Sequence, residues 1–372
     1  MANWEELPYD IIVLIAKRFK LLKDFIPFCS VCTSWRTAAT KEIFEVRPPQ
    51  VPLLMLADKD EDYREFYFVF EDKVSRMFLP EVRKAECFST KGWLCTVAYT
   101  INGEMNLLHP FSRTQIPLPP EKNLWALQDY GPVEARGIYH CMDKAVLSAS
   151  PSVTSNYVLL VSYYADVNNL AFWRLGDLNW NHIDRNWGAF SDINYYDGQF
   201  YGVSYNGKVW VFDIAGPTDP QPIVEPRLLV HLEDDMFKHP GTKFYLVEVS
   251  GALLLVARFS HGDWSDTFKF KVVELDLIKG DIKEIKTLGD LAIFVGSNAA
   301  ISVDASKFAR VKPNHIYFTD DWYVAFNDLE GGGGRDMGAC NLEDGKIQSF
   351  YPELSLSPIC PRVTPLFFPI KS

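Results

Sequence analysis

Phe244–Phe259 reads FYLVEVSGALLLVARF, and whether it is helix or strand decides the architecture of most of the chain. Two apolar runs meet at Ser250-Gly251, and neither shows the 3.6-residue stripe of an amphipathic helix. The reading is therefore two consecutive antiparallel strands joined by a turn. Outward from this stretch the same texture recurs in EFYFVF (65–70), GWLCTVAY (92–99), YVLLVSYY (157–164), KVWVFDI (208–214), FKFKVVELDL (268–277) and NHIYF (314–318). Gly, Pro, Asn and Asp punctuate these runs.

Five segments share a further pattern of apolar strand, polar turn and second strand. They are EMNLLHPFSRTQIPLP (104–119), NLAFWRLGDLNWNHID (169–184), KVWVFDIAGPTDPQPIV (208–224), KVVELDLIKGDIKEIKTL (271–288) and DMGACNLEDGKIQSFYP (336–352). With His109, Arg174, Asp213, Asp276 and Asn341 as register points, the intervals are 65, 39, 63 and 65 residues. One or two more strands precede each unit, as DGQFYGVSYNG (197–207) precedes KVWVF. Four strands per unit and about six units predict a β-propeller. The late VTPLFFP (363–369) is expected to complete the first blade beside strands near residues 53–70.

The first 47 residues differ in kind. Pro8 suits the first position of a helix, Asp10 suits its first turn, and Ile11, Leu14, Ile15 and Phe19 form one apolar stripe. A second short helix around Phe25 and Phe28 and a third from about Ser30, carrying Val31, Trp35 and Ala38, complete a three-helix unit. So small a core needs a neighbour, or offers an apolar face to a partner. In Cys29–Arg36 (CSVCTSWR) the C-x₂-C pair has no second pair and no H-x₃₋₅-H to complete a zinc site. It also lacks the βαβ setting of a redox motif, so both cysteines are read as small buried hydrophobes. Arg47-Pro48-Pro49-Gln50-Val51-Pro52 breaks the helical texture, so residues 48–52 are read as a linker.

The chain has 372 residues, more than one core usually serves, and 14% of them are aromatic. Net charge is −11, while residues 1–45 carry six basic and six acidic side chains. That balance argues against a nucleic-acid partner. No apolar run reaches ~18 residues, so no membrane span is expected. The start MANWEELPYD has no basic n-region. Seven irregularly spaced cysteines and no N-x-S/T sequon fit an intracellular location, nucleus or cytoplasm.

Residues suited to chemistry are few. Asp320-Asp321 is read as a solvated loop after NHIYF rather than a carboxylate pair, because neighbours on a strand face opposite ways. Gly331–Gly334 lacks the Lys-Ser of a phosphate loop, and Glu233-Asp234-Asp235 reads as a solvated turn. The seven histidines are scattered and no G-x-S-x-G elbow occurs. No metal, cofactor or catalytic residue is expected. Trp93, Trp125, Trp173, Trp180, Trp187, Trp210, Trp264 and Trp322 are assigned to the core.

Two resemblances follow from these residues. Trp4-x-x-Leu7-Pro8-x-Asp10-x-x-x-x-Ile15 with Phe28-Cys29-x-Val31-Cys32-x-Ser34-Trp35-Arg36 resembles the F-box in its plant style. This implies an F-box at 2–47 that binds a Skp1-type adaptor and, through it, a cullin. Leu7, Pro8, Ile11, Ile15, Val31 and Trp35 are then the contact or supporting residues, with Trp35 favoured as core or junction packing. Gly92-Trp93-Leu94, Leu108-His109-Pro110-Phe111, Ile116–Pro119, Ile316–Asp321 and Gly338–Gly345 resemble a plant family of F-box proteins with a kelch-like C-terminal domain. Together they predict an α+β multidomain chain: three helices, then a propeller of about six blades at 53–372. The implied function is the substrate-recognition subunit of an SCF-type ubiquitin ligase, the propeller holding a target protein. A non-degradative Skp1-binding protein and a propeller enzyme with a docking module are the alternatives. The enzyme would place several carboxylates at the central channel.

Overall fold

The structure, a computed structural model, describes residues 7–19, 28–29, 31–40, 53–56, 62–68, 70–71, 73–125, 141–164, 168–184, 187–217, 226–233, 237, 239–261, 266–319, 321 and 336–350. Trp4, Phe25, the 48–52 linker, Asp320, the Gly331–Gly334 run and the closing strand expected at 363–369 lie outside these residues.

Strands account for most of what is described, in six sheets that follow chain order. Blade one holds β1 (Leu54–Met55), β2 (Tyr63–Phe68) and β3 (Lys73–Phe78). Blade two holds β4 (Ala85–Thr90), β5 (Trp93–Ala98), β6 (Met105–Leu108) and β7 (Gln115–Leu118). Blade three is β8 (Met142–Leu147), β9 (Val158–Tyr164), β10 (Asn168–Arg174) and β11 (Asn181–His182). Blade four is β12 (Phe190–Tyr196), β13 (Gln199–Ser204), β14 (Lys208–Phe212) and β15 (Arg227–His231). Blade five is β16 (Thr242–Val249), β17 (Ala252–Ser260), β18 (Thr267–Asp276) and β19 (Asp281–Ile285). Blade six is β20 (Leu291–Val295), β21 (Ala300–Asp304), β22 (His315–Phe318), β23 (Gly338–Asn341) and β24 (Ile347–Ser349).

Blades two to five are plain antiparallel meanders, and the repeat segments at 104–119, 169–184, 271–288 and 336–352 form the outer two strands of their blades, whereas 208–224 supplies β14 and the outermost β15 comes after it. Blade six departs from the simple repeat. Its order is β21-β20-β22-β23-β24, with β20 and β22 parallel, so the hairpin β20–β21 folds back to put β21 innermost. The strand that starts several blades turns back through a two-residue hairpin. Lys91-Gly92, Asp197-Gly198 and Ser250-Gly251 all have positive φ at both positions, the mirror-image turn whose twist matches the flanking strands.

The opening stretch shows why these strands read as continuous apolar runs. In β16, Phe244 and Leu246 join a cluster with Tyr201, Val203 and Val211 of blade four. The alternate residues Tyr245, Val247 and Val249 join one with Ile293, Ile316 and Phe318 of blade six. Period-2 alternation is intact, but both faces are covered by neighbouring blades, so both are apolar. The outer strand β19 has lost one cover and alternates with exposed residues. Similar clusters fill the spaces between the other consecutive blades. Between blades six and one, Phe70 meets the rings of Tyr317 and Phe294 edge-on, at 5.2 and 6.0 Å between centroids. Leu54 and Tyr67 join the same cluster. The six blades therefore close into a ring.

Among the described residues two helices precede the ring, α1 (Tyr9–Ala16) and α2 (Thr33–Thr40), with Phe28 and Cys29 helical between them. Helix α1 starts one residue later than expected: Pro8 is its cap, at φ −54° and ψ 140°. Ile12, Val13, Ala16, Phe28, Cys29 and Ala38 share one cluster with Met55, Phe66, Phe68, Met77 and Leu79 of blade one. The helices thus have no separate core of their own.

Candidate functional site

The apolar stripe Ile11, Leu14, Ile15 read from the sequence is not one face of α1. Ile12, Val13 and Ala16 are buried against the propeller, with Ile15 and Phe19 packed partly against the same cluster. Ile11 and Leu14 point away and are 42% and 58% exposed. The run Ile11–Ile15 is apolar all round, so burying one side leaves a second apolar face. Tyr9, Pro8 and Val31 are also exposed. Of the six residues implied by the resemblance, Pro8, Ile11 and Val31 are therefore open, whereas Leu7, Ile15 and Trp35 are half-buried on the shared core. Trp35 lies 4.7 Å from the ring of Phe28, and Arg36 stands over the ring of Phe78, 6.0 Å from its centroid. Leu14 and Tyr9 were missed as surface residues; the unbroken apolar run of α1 was the signal. Cys29 is buried and Cys32 half-buried.

The second site is the channel. Each innermost strand pairs with its own blade on one edge and turns the other edge to the axis, where its N–H and C=O groups need partners. Side chains from other blades supply them, in most cases from an adjacent one. Leu147 N donates to Thr90 Oγ1 (2.8 Å), Phe244 N to Ser191 Oγ (3.1 Å) and Leu246 N to Asp192 Oδ2 (2.7 Å). In the other sense Asn194 Nδ2 donates to Leu246 O, Ser302 Oγ to Glu248 O and Asn298 Nδ2 to Cys87 O. Lys144 donates to the other oxygen of Asp192, and both are buried. Burial pushes the Asp192 carboxyl up, and the Lys144 ammonium opposes that shift. Asp143, beside them, is likewise raised by burial, with Lys243 acting against it.

Asp321 corrects the solvated-loop reading: its side chain has no exposed surface. One oxygen accepts from Ser297 N (2.7 Å), and the other accepts from the Tyr245 hydroxyl and faces Arg258 (3.4 Å). Arg258, 2% exposed, also donates to Thr319 O (2.8 Å), Thr267 Oγ1 (2.6 Å) and Asp336 Oδ2 (2.6 Å). This arginine binds blade five to blade six. Several carboxylates do meet at the channel, but Asp192 and Asp321 are each taken up by an ammonium or guanidinium and a backbone N–H. Nothing in the sequence marked Lys144, Asp192, Arg258 or Asn298, because the ring closure alone brings them together. The acidic turn at 233–235 is described only at Glu233, which is exposed.

A cavity of about 150 Å³ opens along the same axis, lined by residues of the innermost strands β4, β8, β12, β16 and β21. Elsewhere, His109 is 7% exposed in the turn after β6, where its Nδ1 accepts from Ser112 N (3.1 Å). Burial lowers its pKa to about 4. Trp93, Trp173, Trp180 and Trp210 are buried as expected and Trp187 is half-buried. The side chain of Trp125, and Trp264 and Trp322, lie outside the described residues. Among the described residues no helix is long and apolar enough to cross a membrane, and no cluster of three or more His, Cys, Asp or Glu could hold a metal.

Comparison with known proteins finds relatives that span most of the chain. The putative F-box protein At1g65770 of Arabidopsis thaliana is 26% identical, over 91% of this chain and 94% of that protein. The F-box protein SKIP23 of the same plant is 24% identical, over 94% of this chain and 91% of its own length. Among solved structures, the Cps50 (Swd1) beta-propeller domain of Myceliophteria thermophila aligns at 9% identity over 79% of this chain and 82% of that one, with a TM-score of 0.37. A family model described as KIB1-4 beta-propeller matches residues 66–341. That span runs from β2 in blade one to β23 in blade six, and with it the chain belongs to the KIB1-4 beta-propeller family.

Proposed function

We propose that the chain is the substrate-recognition subunit of an SCF-type ubiquitin ligase, its helices holding a Skp1-type adaptor and its propeller a target protein. One observation carries the reading: α1 is apolar on two sides, and the propeller covers only one of them. Exposed apolar side chains such as Ile11, Leu14 and Val31 are what a partner helix would bury. The F-box names of the relatives support the same partner class. The mechanism is proximity. Because the helices share their core with blade one, the target is held at a set bearing rather than on a loose tether, which favours orientation as well as local concentration. In this reading the chain itself supplies no chemistry, and Asp192 and Asp321 in the channel are already committed to cations.

The test uses the full chain with Ile11→Asp and Leu14→Asp together. Hot-spot truncations cost about 2 kcal/mol or more each, so adaptor affinity is expected to fall by roughly a hundredfold or more with the melting temperature unchanged. Undiminished adaptor binding by this variant rules the proposal out. Adaptor bound without any cullin in the complex would instead favour a non-degradative role.

A further inference from the structure

We infer that the channel cavity is a binding site for a neutral, six-membered polyhydroxylated ring, a monosaccharide or a cyclitol. The site lies wholly within the propeller and stands whether or not the helices hold an adaptor.

Size is the first argument. The cavity measures about 150 Å³, and an apolar cavity of about that volume accepts a six-carbon ring. Its lining is the second. Lys91, Glu248, Asn298 and Ser302 present an ammonium, a carboxylate, an amide and a hydroxyl, while Val146 and Ala300 add apolar wall. A hydroxyl both donates and accepts, so a ring of hydroxyls matches such a mixture, and its C–H face suits the Tyr195 ring, which lies 5.6 Å below the Lys91 ammonium. A multiply charged anion fits poorly. The other lysine in the lining, Lys144, is already paired with Asp192, and Glu248 shares the wall.

The third argument is Asn298. It is 1% exposed and its Nδ2 donates to Cys87 O at 3.3 Å, but its Oδ1 has no hydrogen-bond partner among the described residues. A buried acceptor left unpaired is a standing penalty. A ligand hydroxyl donating to Oδ1 removes it.

The experiment titrates the full-length protein with D-glucose, D-galactose and myo-inositol by calorimetry and ligand-observed NMR, with inorganic phosphate as control. The expected result is saturable binding of at least one ring with Kd below about 10 mM, the sugars against the cyclitol deciding which source is used. Asn298→Leu is expected to weaken it tenfold or more. Lys91→Met, at an exposed position, is expected to weaken it several-fold and keeps the test decisive if the asparagine variant does not fold. Absence of saturable ring binding, binding unchanged in Lys91→Met, or saturable binding of phosphate alone overturns the assignment.

Discussion

Arg258 shows how much one side chain holds at this axis. Its guanidinium serves Thr267 on β18 and Thr319, Asp321 and Asp336 of blade six from a position 2% exposed, and it lies 4.9 Å from the centre of the Phe318 ring. Removing one member of a buried ion pair leaves the others unpaired and typically costs about 3–5 kcal/mol. Arg258→Met should therefore lower the unfolding free energy measured in urea by an amount of that order. Arg258→Met with Asp321→Asn should recover part of it, since the stranded carboxylate is then gone. His109 makes an opposite kind of prediction. The folded chain keeps its imidazole neutral down to about pH 4, whereas an unfolded chain protonates it near 6.5. Between those values the unfolded state binds more protons, so stability is full above pH 6.5 and falls as pH drops towards 4, by about 3 kcal/mol at most. His109→Asn, which offers Oδ1 where Nδ1 accepts from Ser112 N, should lose ring packing on Trp93 but show a flatter stability profile across that window. Urea unfolding at pH 7 and pH 4.5 for both proteins gives the comparison.

Among the elements, the outer hairpins were the most legible part. His109, Asp276 and Asn341 each accept a backbone N–H two or three residues on, and Asp177 accepts from Arg174 N, three residues before it. The polar turn in the repeat is thus a set of side-chain-closed turns, which is why it could be seen without knowing the blades. Blade six was not legible, because its parallel β20–β22 pair joins strands 20 residues apart that look like ordinary meander partners. Helix α1 was legible as a helix but not in its facing: five consecutive apolar residues give no preferred side. Ile12→Ala should separate the two sides. Ile12 is 1% exposed in the shared cluster, so the change is expected to cost about 2–5 kcal/mol and to raise amide hydrogen exchange in α1. Exchange in β16 and β17 of blade five should be unaltered; loss of protection there would contradict a local role for this contact.

At the scale of the molecule, the aromatic content and the alternating runs announced a strand-rich ring, yet the polar axis was invisible because its members come from different blades. At the ring closure Phe70 lies edge-on to the stacked rings of Phe294 and Tyr317, beside Leu54 and Tyr67. Phe70→Ala should cost about 3–5 kcal/mol and lower the melting temperature of the helices and the propeller together, since blade one belongs to both. Separate transitions by two probes would show the coupling to be weak. The same dependence sets a timetable during synthesis. The helices leave the ribosome before the propeller, but the blade that steadies them leans on strands of blade six, which follow the five other blades in the chain. A nascent or truncated chain ending before β20 is accordingly expected to be a poor recruit for the proposed adaptor, a result that a pull-down of residues 1–289 can check. On the proposed function, only finished chains would then engage the adaptor, a form of quality control written into the order of the blades.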